Sequence, residues 1–344
     1  MLKSNFRYIL FFSLAGIVLC GALLIDLYVG SASISFTDLF SILLGDNTKD
    51  VMASTIVWDI RLPRLWTACV VGATLAVAGL QMQTVFRNPL AGPYILGVSS
   101  GASLGVALLV LGVGSSWFNL IGSTMGSWTI AMASWIGSGL VLAFVLYVSS
   151  RVKNIMTVLV LGILFSGVTS SIVNLLQYFS SEAALKSFVV WTMGSIGAAT
   201  DDQLFVMTLL SFLGVMIAFA MSKRLDAFLL GERYAMSLGV NLKLTRAAVF
   251  ISTTFIAGTV TAFCGPIGFI GVAIPHIARM MLSTASHKIL IPASMLLGAI
   301  FLVLGDIISQ VPGFSLVLPI NSVMSLLGIP IVVWVILRKR VINS

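Results

Sequence analysis

The chain has 344 residues, 59% of them hydrophobic and only 9% charged, with a net charge of +8 and a mean hydropathy of +1.11. A soluble domain carries about 25% charged residues, so these side chains cannot clothe a water-facing surface and lipid must cover much of the molecule. The basic excess does not point to nucleic acid, because Lys and Arg lie between apolar stretches and form no dense run.

Crossing a hydrocarbon core about 30 Å thick takes roughly 20 apolar residues in a helix. A membrane barrel would show short alternating segments, whereas the apolar stretches here are continuous and rich in Gly, Ala, Ser and Leu. The expected fold is therefore all-α, a polytopic membrane protein forming one domain over residues 1–344, with about ten spans. They fall near 8–28, 65–83, 94–113, 128–149, 155–178, 203–222, 246–263, 267–282, 289–310 and 315–337.

In chain order, Lys3 and Arg7 precede the apolar run 8–25. That run exceeds the roughly 7–15 residues of a signal-peptide core and no A-x-A-like site follows it, so it reads as a retained first span. Bulky Leu19 before Cys20 is unlike a lipoprotein cleavage site. Residues 35–44 form a short amphipathic helix capped at Ser35 or Thr37. In the third span Gly97, Gly101 and Gly105 recur every fourth residue, a face on which helix backbones can approach closely. After the fifth span, 182–194 is too polar and short to cross, and Trp191 marks an interfacial helix at the outer face. The largest cytoplasmic loop, 223–246, carries a helix-compatible stretch at 226–238 ending at Gly239. The seventh and eighth spans meet at a Gly-Pro break at Gly265-Pro266. Broken segments of similar composition at 71–95 and 257–274, running in opposite directions, raise an inverted-topology repeat.

Charge tests this arrangement, because cytoplasmic loops collect Lys and Arg. With both termini inside, Lys3, Arg7, Arg87, Arg151, Lys153, Lys223, Arg224, Arg233, Lys243, Arg246, Arg279, Lys288, Arg338, Lys339 and Arg340 are cytoplasmic. Only Lys49, Arg61, Arg64 and Lys186 face outward. Asp226 and Glu232 are the inner acidic residues.

Much chemistry is missing. No GxxxxGK[ST] loop is present, so ATP hydrolysis is not expected of this chain. Cys20, Cys69 and Cys264 read as small buried hydrophobes, and His276 and His287 sit at no metal-ligand spacing. Neither a metal nor a cofactor is expected. Asp306, toward the outer end of the ninth span, is the nearest charge to a span centre. Ion-coupled transporters usually carry intramembrane carboxylates or His relays, so the power source is expected in another protein.

Three stretches carry a family resemblance. RLPR (61–64) followed by VVGATLAVAGLQMQTVFRNPLAGPYILGVSSGASLG (70–105), LGERYAMSLG (230–239) and GPIGFIGVAIPHIAR (265–279) resemble the FecCD/BtuC-type permeases. These are the membrane subunits of type II ABC importers for iron–siderophores, haem and cobalamin, and the likeness spans nearly the whole chain. It implies a permease of the bacterial cytoplasmic membrane, two copies enclosing a passage lined by the fifth and tenth helices. Separate ABC ATPase subunits would dock below, and an extracytoplasmic substrate-binding protein above. By the same likeness Asn88 and Leu90 belong to one cytoplasmic gate, and Asn154, Ile155 and Met156 to the other. Glu232, Leu238 and Gly239 belong to the element that seats in the ATPase. Arg61 and Arg64 would pair with acidic residues of the binding protein. Gln310 stands where the family often has another basic residue. Trp191, Met193, Gly194 and Gly197 resemble the outer helix after the fifth span. The rival readings are an ion-coupled secondary transporter of a small organic solute and a membrane anchor without transport.

Overall fold

The computed structural model describes residues 2–30, 32, 34–45, 51–112, 126–152, 154–310 and 317–342. Asp46, Lys49, Asp50 and Lys153, and the expected span ends at 113 and 315–316, lie outside them, as do the side chains of Lys3, Arg338, Lys339 and Arg340. Among the described residues the secondary structure is helical, with no strand.

Among the described residues, seven helices are long and apolar enough to cross a membrane. They are α1 (Leu2–Tyr28), α3 (Val51–Val85), α5 (Gly126–Arg151), α6 (Ile155–Phe179), α8 (Asp201–Ala220), α11 (Leu242–Cys264) and α13 (His287–Ser309). Two shorter apolar helices, α4 (Val98–Gly112) and α12 (Ile270–Leu282), and α14 (Ile320–Ile342), whose apolar stretch is Ile320–Trp334, complete the ten expected positions. Four more do not cross: α2 (Phe36–Leu43), α7 (Glu182–Thr192), α9 (Ser222–Leu229) and α10 (Glu232–Ser237).

At 13 residues α12 rises only about 20 Å and cannot cross alone. Non-helical backbone completes its passage, which is tolerated at membrane depth only where protein satisfies its polar groups. Neighbours do so here. Ile267 N–H donates to the Tyr94 hydroxyl at 3.4 Å, and Gly268 N–H donates to Asn321 Oδ1 at 3.0 Å. Ser195 N–H donates to the Cys264 carbonyl at 2.8 Å.

The two most buried spans, α3 and α11, run through the middle of the described bundle. α3 packs against α13, α12, α8 and α11, while α11 also packs against α8 and α5. Backbones touch at the α3–α13 crossing, where a Cβ on Gly72 would collide with the Gly298 carbonyl.

Three expectations need correction. The second helix does not start at 65: it runs unbroken from Val51 through Pro63, about 52 Å for 35 residues. A π-helical stretch at Ile56–Arg61 lies just ahead of Pro63, whose ring nitrogen cannot complete an ordinary α-turn. Gly97 does not share a packing face with Gly101 and Gly105. It caps α4 in the left-handed region at φ 78° and faces Phe165 on α6, whereas the other two meet Gly137 and Ala133 on α5. The stretch 226–238 is two helices, because Gly231 at φ 110° turns the chain between α9 and α10. By contrast α2 starts where its cap was expected, with Asp38 N–H donating to Ser35 Oγ at 3.2 Å.

Candidate translocation and coupling sites

The two candidate gate segments are built alike. Where α3 ends, Arg87 takes φ 50° and Asn88 Oδ1 accepts from Leu90 N–H at 2.9 Å. Before α6, Asn154 Oδ1 accepts from Met156 N–H at 2.9 Å and caps the helix. Both asparagines therefore close a local side-chain turn that holds an apolar residue outward. Leu90 and Met156 are exposed, and Ile155 is buried behind Met156. His276 fixes the first turn from behind through a 2.8 Å bond between its Nε2 and the Pro89 carbonyl.

The coupling segment presents a different surface. Leu230, Tyr234, Met236 and Leu238 are each more than half exposed, whereas Ala227, Phe228 and Ala235 are buried between α9 and α10. Apolar residues held outward between Lys223 and Lys243, in a segment that also carries Arg224 and Arg233, form a candidate protein contact surface. Glu232 does not belong to that outward set: its carboxylate accepts from buried Arg246 on α11 at 2.5 Å. Gly239 takes φ 80° and lets the chain turn into α11.

At the outer end the two arginines are engaged within the chain. Arg61 is buried, and its guanidinium donates to the carbonyls of Leu27, Tyr28 and Ala32. Arg64 Nε donates to both Asp306 oxygens at 3.0 and 2.9 Å, and its Nη2 reaches Ser309 Oγ at 3.1 Å. Gln310 Nε2 bridges two carboxylates, donating to Asp26 Oδ1 at 3.1 Å and Asp306 Oδ2 at 3.2 Å. A neutral amide at 310 therefore ties α13 to α1. Both arginines are held by their own chain, with Arg64 the more exposed of the two.

The fifth and tenth helices, α6 and α14, carry outward apolar residues along much of their length. On α6 these are Met156, Val160, Ile163, Leu164, Val168, Ile172 and Leu175, and on α14 Leu326, Ile329, Val333, Trp334 and Leu337. Against the inner side of α6 lies a cavity of about 280 Å³ lined largely by hydroxyls, among them Ser99, Ser103, Ser166, Thr169 and Ser170. Among the described residues no group of three or more His, Cys, Asp or Glu could hold a metal ion.

The sequence pattern of the FecCD transport family matches residues 17–338. The chain belongs to the FecCD transport family. It is 34% identical over 322 residues to the hemin transport system permease protein HmuU of Yersinia pestis, covering 92% of this chain and 94% of that protein. It is also 34% identical over 286 residues to the vitamin B12 import system permease protein BtuC of Klebsiella pneumoniae, covering 83% of each. Among solved structures, a metal-chelate type ABC transporter in an inward-facing conformation matches with a TM-score of 0.82 and 30% identity. That match covers 96% of this chain and 99% of the other.

As a FecCD-family membrane permease the chain is all-helical among its described residues, seven of whose helices are long and apolar enough to cross a membrane. Sequence reasoning missed three features of the candidate sites. Leu230, Tyr234 and Met236 join Leu238 in the exposed apolar set, a signal visible as apolar residues in an otherwise charged loop. Asn321 joins two broken segments by accepting from Gly268 N–H and donating its own N–H to the Met193 carbonyl at 3.2 Å. The third feature is the contact between Asp226 and His287, which lie 61 residues apart.

Proposed function

We propose that this chain is the membrane subunit of an ATP-driven importer that carries an iron chelate (siderophore or haem) or cobalamin across the bacterial cytoplasmic membrane. The observation that carries the reading is the solvent-facing apolar set Leu230, Tyr234, Met236 and Leu238, held on a cytoplasmic element of a FecCD-family permease. Such a surface is what a separate ATPase subunit needs in order to push on the permease. Two identical chains would face one another across α6 and α14, with the Leu90 and Met156 turns closing the passage below. A substrate-binding protein would dock above, with Arg64 as the more accessible of the two rim arginines. Both termini would be cytoplasmic, and the chain would hold no cofactor of its own, ATP being used by the partner.

Haem, ferric siderophores and cobalamin all remain candidate ligands, because relatives named for haemin and for vitamin B12 share the same 34% identity with this chain. The test is uptake of labelled haemin, a ferric siderophore and cyanocobalamin into cells with and without the gene. Loss of one ligand, restored by wild type but not by Leu238→Asp, is the expected result. Full uptake of all three without the gene, in cells with no second permease of this family, would sink the reading. A secondary transporter is tested alongside, since Leu238→Asp would leave it working.

A further inference from the structure

We infer that Asp226, His287 and Thr84 form a hydrogen-bonded latch that carries displacement of the coupling element to the cytoplasmic gate turn, a mechanical role for positioning residues that deepens the importer reading above and rests on it. The three residues come from separate elements. Asp226 lies on α9, His287 is the first residue of α13, and Thr84 stands in the last turn of α3.

Asp226 Oδ1 accepts twice from one residue, from His287 N–H at 2.8 Å and from His287 Nδ1 at 2.6 Å. A carboxylate only accepts, so Nδ1 carries a proton toward it. The opposite ring nitrogen, Nε2, lies 2.8 Å from Thr84 Oγ1. The imidazole is fully buried, whereas the Asp226 side chain is 36% exposed. The carboxylate therefore reaches from the cytoplasmic surface inward and grips a ring that in turn grips the end of α3.

Both ends of this chain connect to parts that must move in an importer. On one side, α9 packs against α10 through Ala227, Phe228 and Ala235, so a force on α10 is transmitted to α9. Leu225 of α9 also lies in a buried cluster with Met82, Val85 and Phe86 at the end of α3. On the other side, the Thr84 carbonyl accepts from Arg87 N–H at 3.3 Å and the Gln83 carbonyl accepts from Asn88 N–H at 3.2 Å. These are the first bonds of the gate turn that holds Leu90 outward. Gln83 is itself fixed, its Oε1 accepting from Arg279 Nη1 at 2.5 Å and its Nε2 donating to the Val272 carbonyl at 3.0 Å. Directional bonds ending on α3 one turn before the gate transmit a pull as well as a push, which apolar packing alone cannot do.

The experiment uses the purified complex with its native ATPase and binding protein in lipid nanodiscs. Cys20, Cys69 and Cys264 are replaced, and Leu90→Cys is the reporter. A membrane-impermeant maleimide is the probe, and its labelling rate is read with and without ATP plus vanadate, beside ATPase activity. In the otherwise unaltered complex the nucleotide should change the rate. With Asp226→Ala the ATPase should persist while that change falls about tenfold, the order expected on losing a charge-assisted hydrogen bond. Asp226→Asn, which keeps a neutral acceptor, should fall between the two. Thr84→Val cuts the other end without altering volume and serves where Asp226→Ala does not assemble. Combining it with Asp226→Asn should add little, because a cut chain cannot be cut again. Retention of the full nucleotide response in both Thr84→Val and Asp226→Asn overturns the latch. Absence of any nucleotide response or associated ATPase in the unaltered complex instead overturns the importer reading.

Discussion

Arg64 and Asp306 illustrate how little a sequence position reveals about a charge. Arg64 breaks the inside-positive distribution and invites a docking role, yet its guanidinium clasps a fully buried carboxylate on α13. Removing one partner of a buried pair typically costs about 3–5 kcal/mol, because the remaining charge is left uncompensated. Arg64→Ala should therefore lower the unfolding midpoint of the detergent-solubilised protein. Adding Asp306→Asn should recover part of the loss, since the orphaned charge is then gone. An unchanged midpoint in the single variant would show that the pair contributes no stability. Asp226 offers a second residue-scale test. Burial raises its carboxyl, but the ring and backbone N–H of His287, with the charge of Lys288, hold it below its ordinary 3.8. A group depressed in the folded state contributes stability that is present above its unfolded pKa and lost as pH falls through the folded one. Uptake between about pH 6 and 8 should therefore carry no Asp226 titration. A step in that window abolished by Asp226→Asn would contradict this.

At the scale of elements, what was legible is what depends on local composition. Helices lie near the expected spans because a membrane helix announces itself by an apolar run, seven of them long and apolar enough to cross among the described residues, and α2 was legible because its serine cap lies next to its amphipathic face. What was not legible depends on partners distant in sequence. The extension of α3 to Val51 was hidden because Asp59, Arg61 and Pro63 read as a helix end, and a π-helical stretch is not a composition signal. The glycine run gave the packing face of α4 for Gly101 and Gly105 but not for Gly97, whose backbone angle no spacing reveals. The same geometry yields an element-scale test on α5. A Cβ on Gly137 would strike the Gly101 backbone, whereas one on Gly139 meets nothing within 4 Å. Overpacking costs about 1–3 kcal/mol even where side chains can shift, and at Gly137 the obstacle is main chain. Gly137→Val should sharply reduce the yield of folded protein by size-exclusion chromatography, and Gly139→Val should not. Equal yields would mean that α4 and α5 do not meet as described.

For the whole molecule, the direction of insertion has the most consequence, since gate, coupling surface and rim all exchange roles if the chain is inverted. The argument for the assigned direction rests on charge. Arg7, Arg87, Arg151, Arg224, Arg233 and Lys243 gather at the end that carries α9 and α10, and inner loops retain such residues during insertion. The structure supplies sites at each end that can be labelled without disturbing the bundle. Leu230 is 63% exposed beside α10, and Phe36 is 60% exposed on α2. With the three native cysteines replaced, Leu230→Cys should react with an impermeant maleimide only in inside-out vesicles, and Phe36→Cys only in right-side-out ones. The reverse pattern would place the gate turns at Leu90 and Met156 outside the cell, where no ATPase could drive them. Labelling of both sites from one side would mean that an odd number of crossings between residues 36 and 230 is wrong, and with it the passage of α3, α4, α5, α6 or α8 through the bilayer.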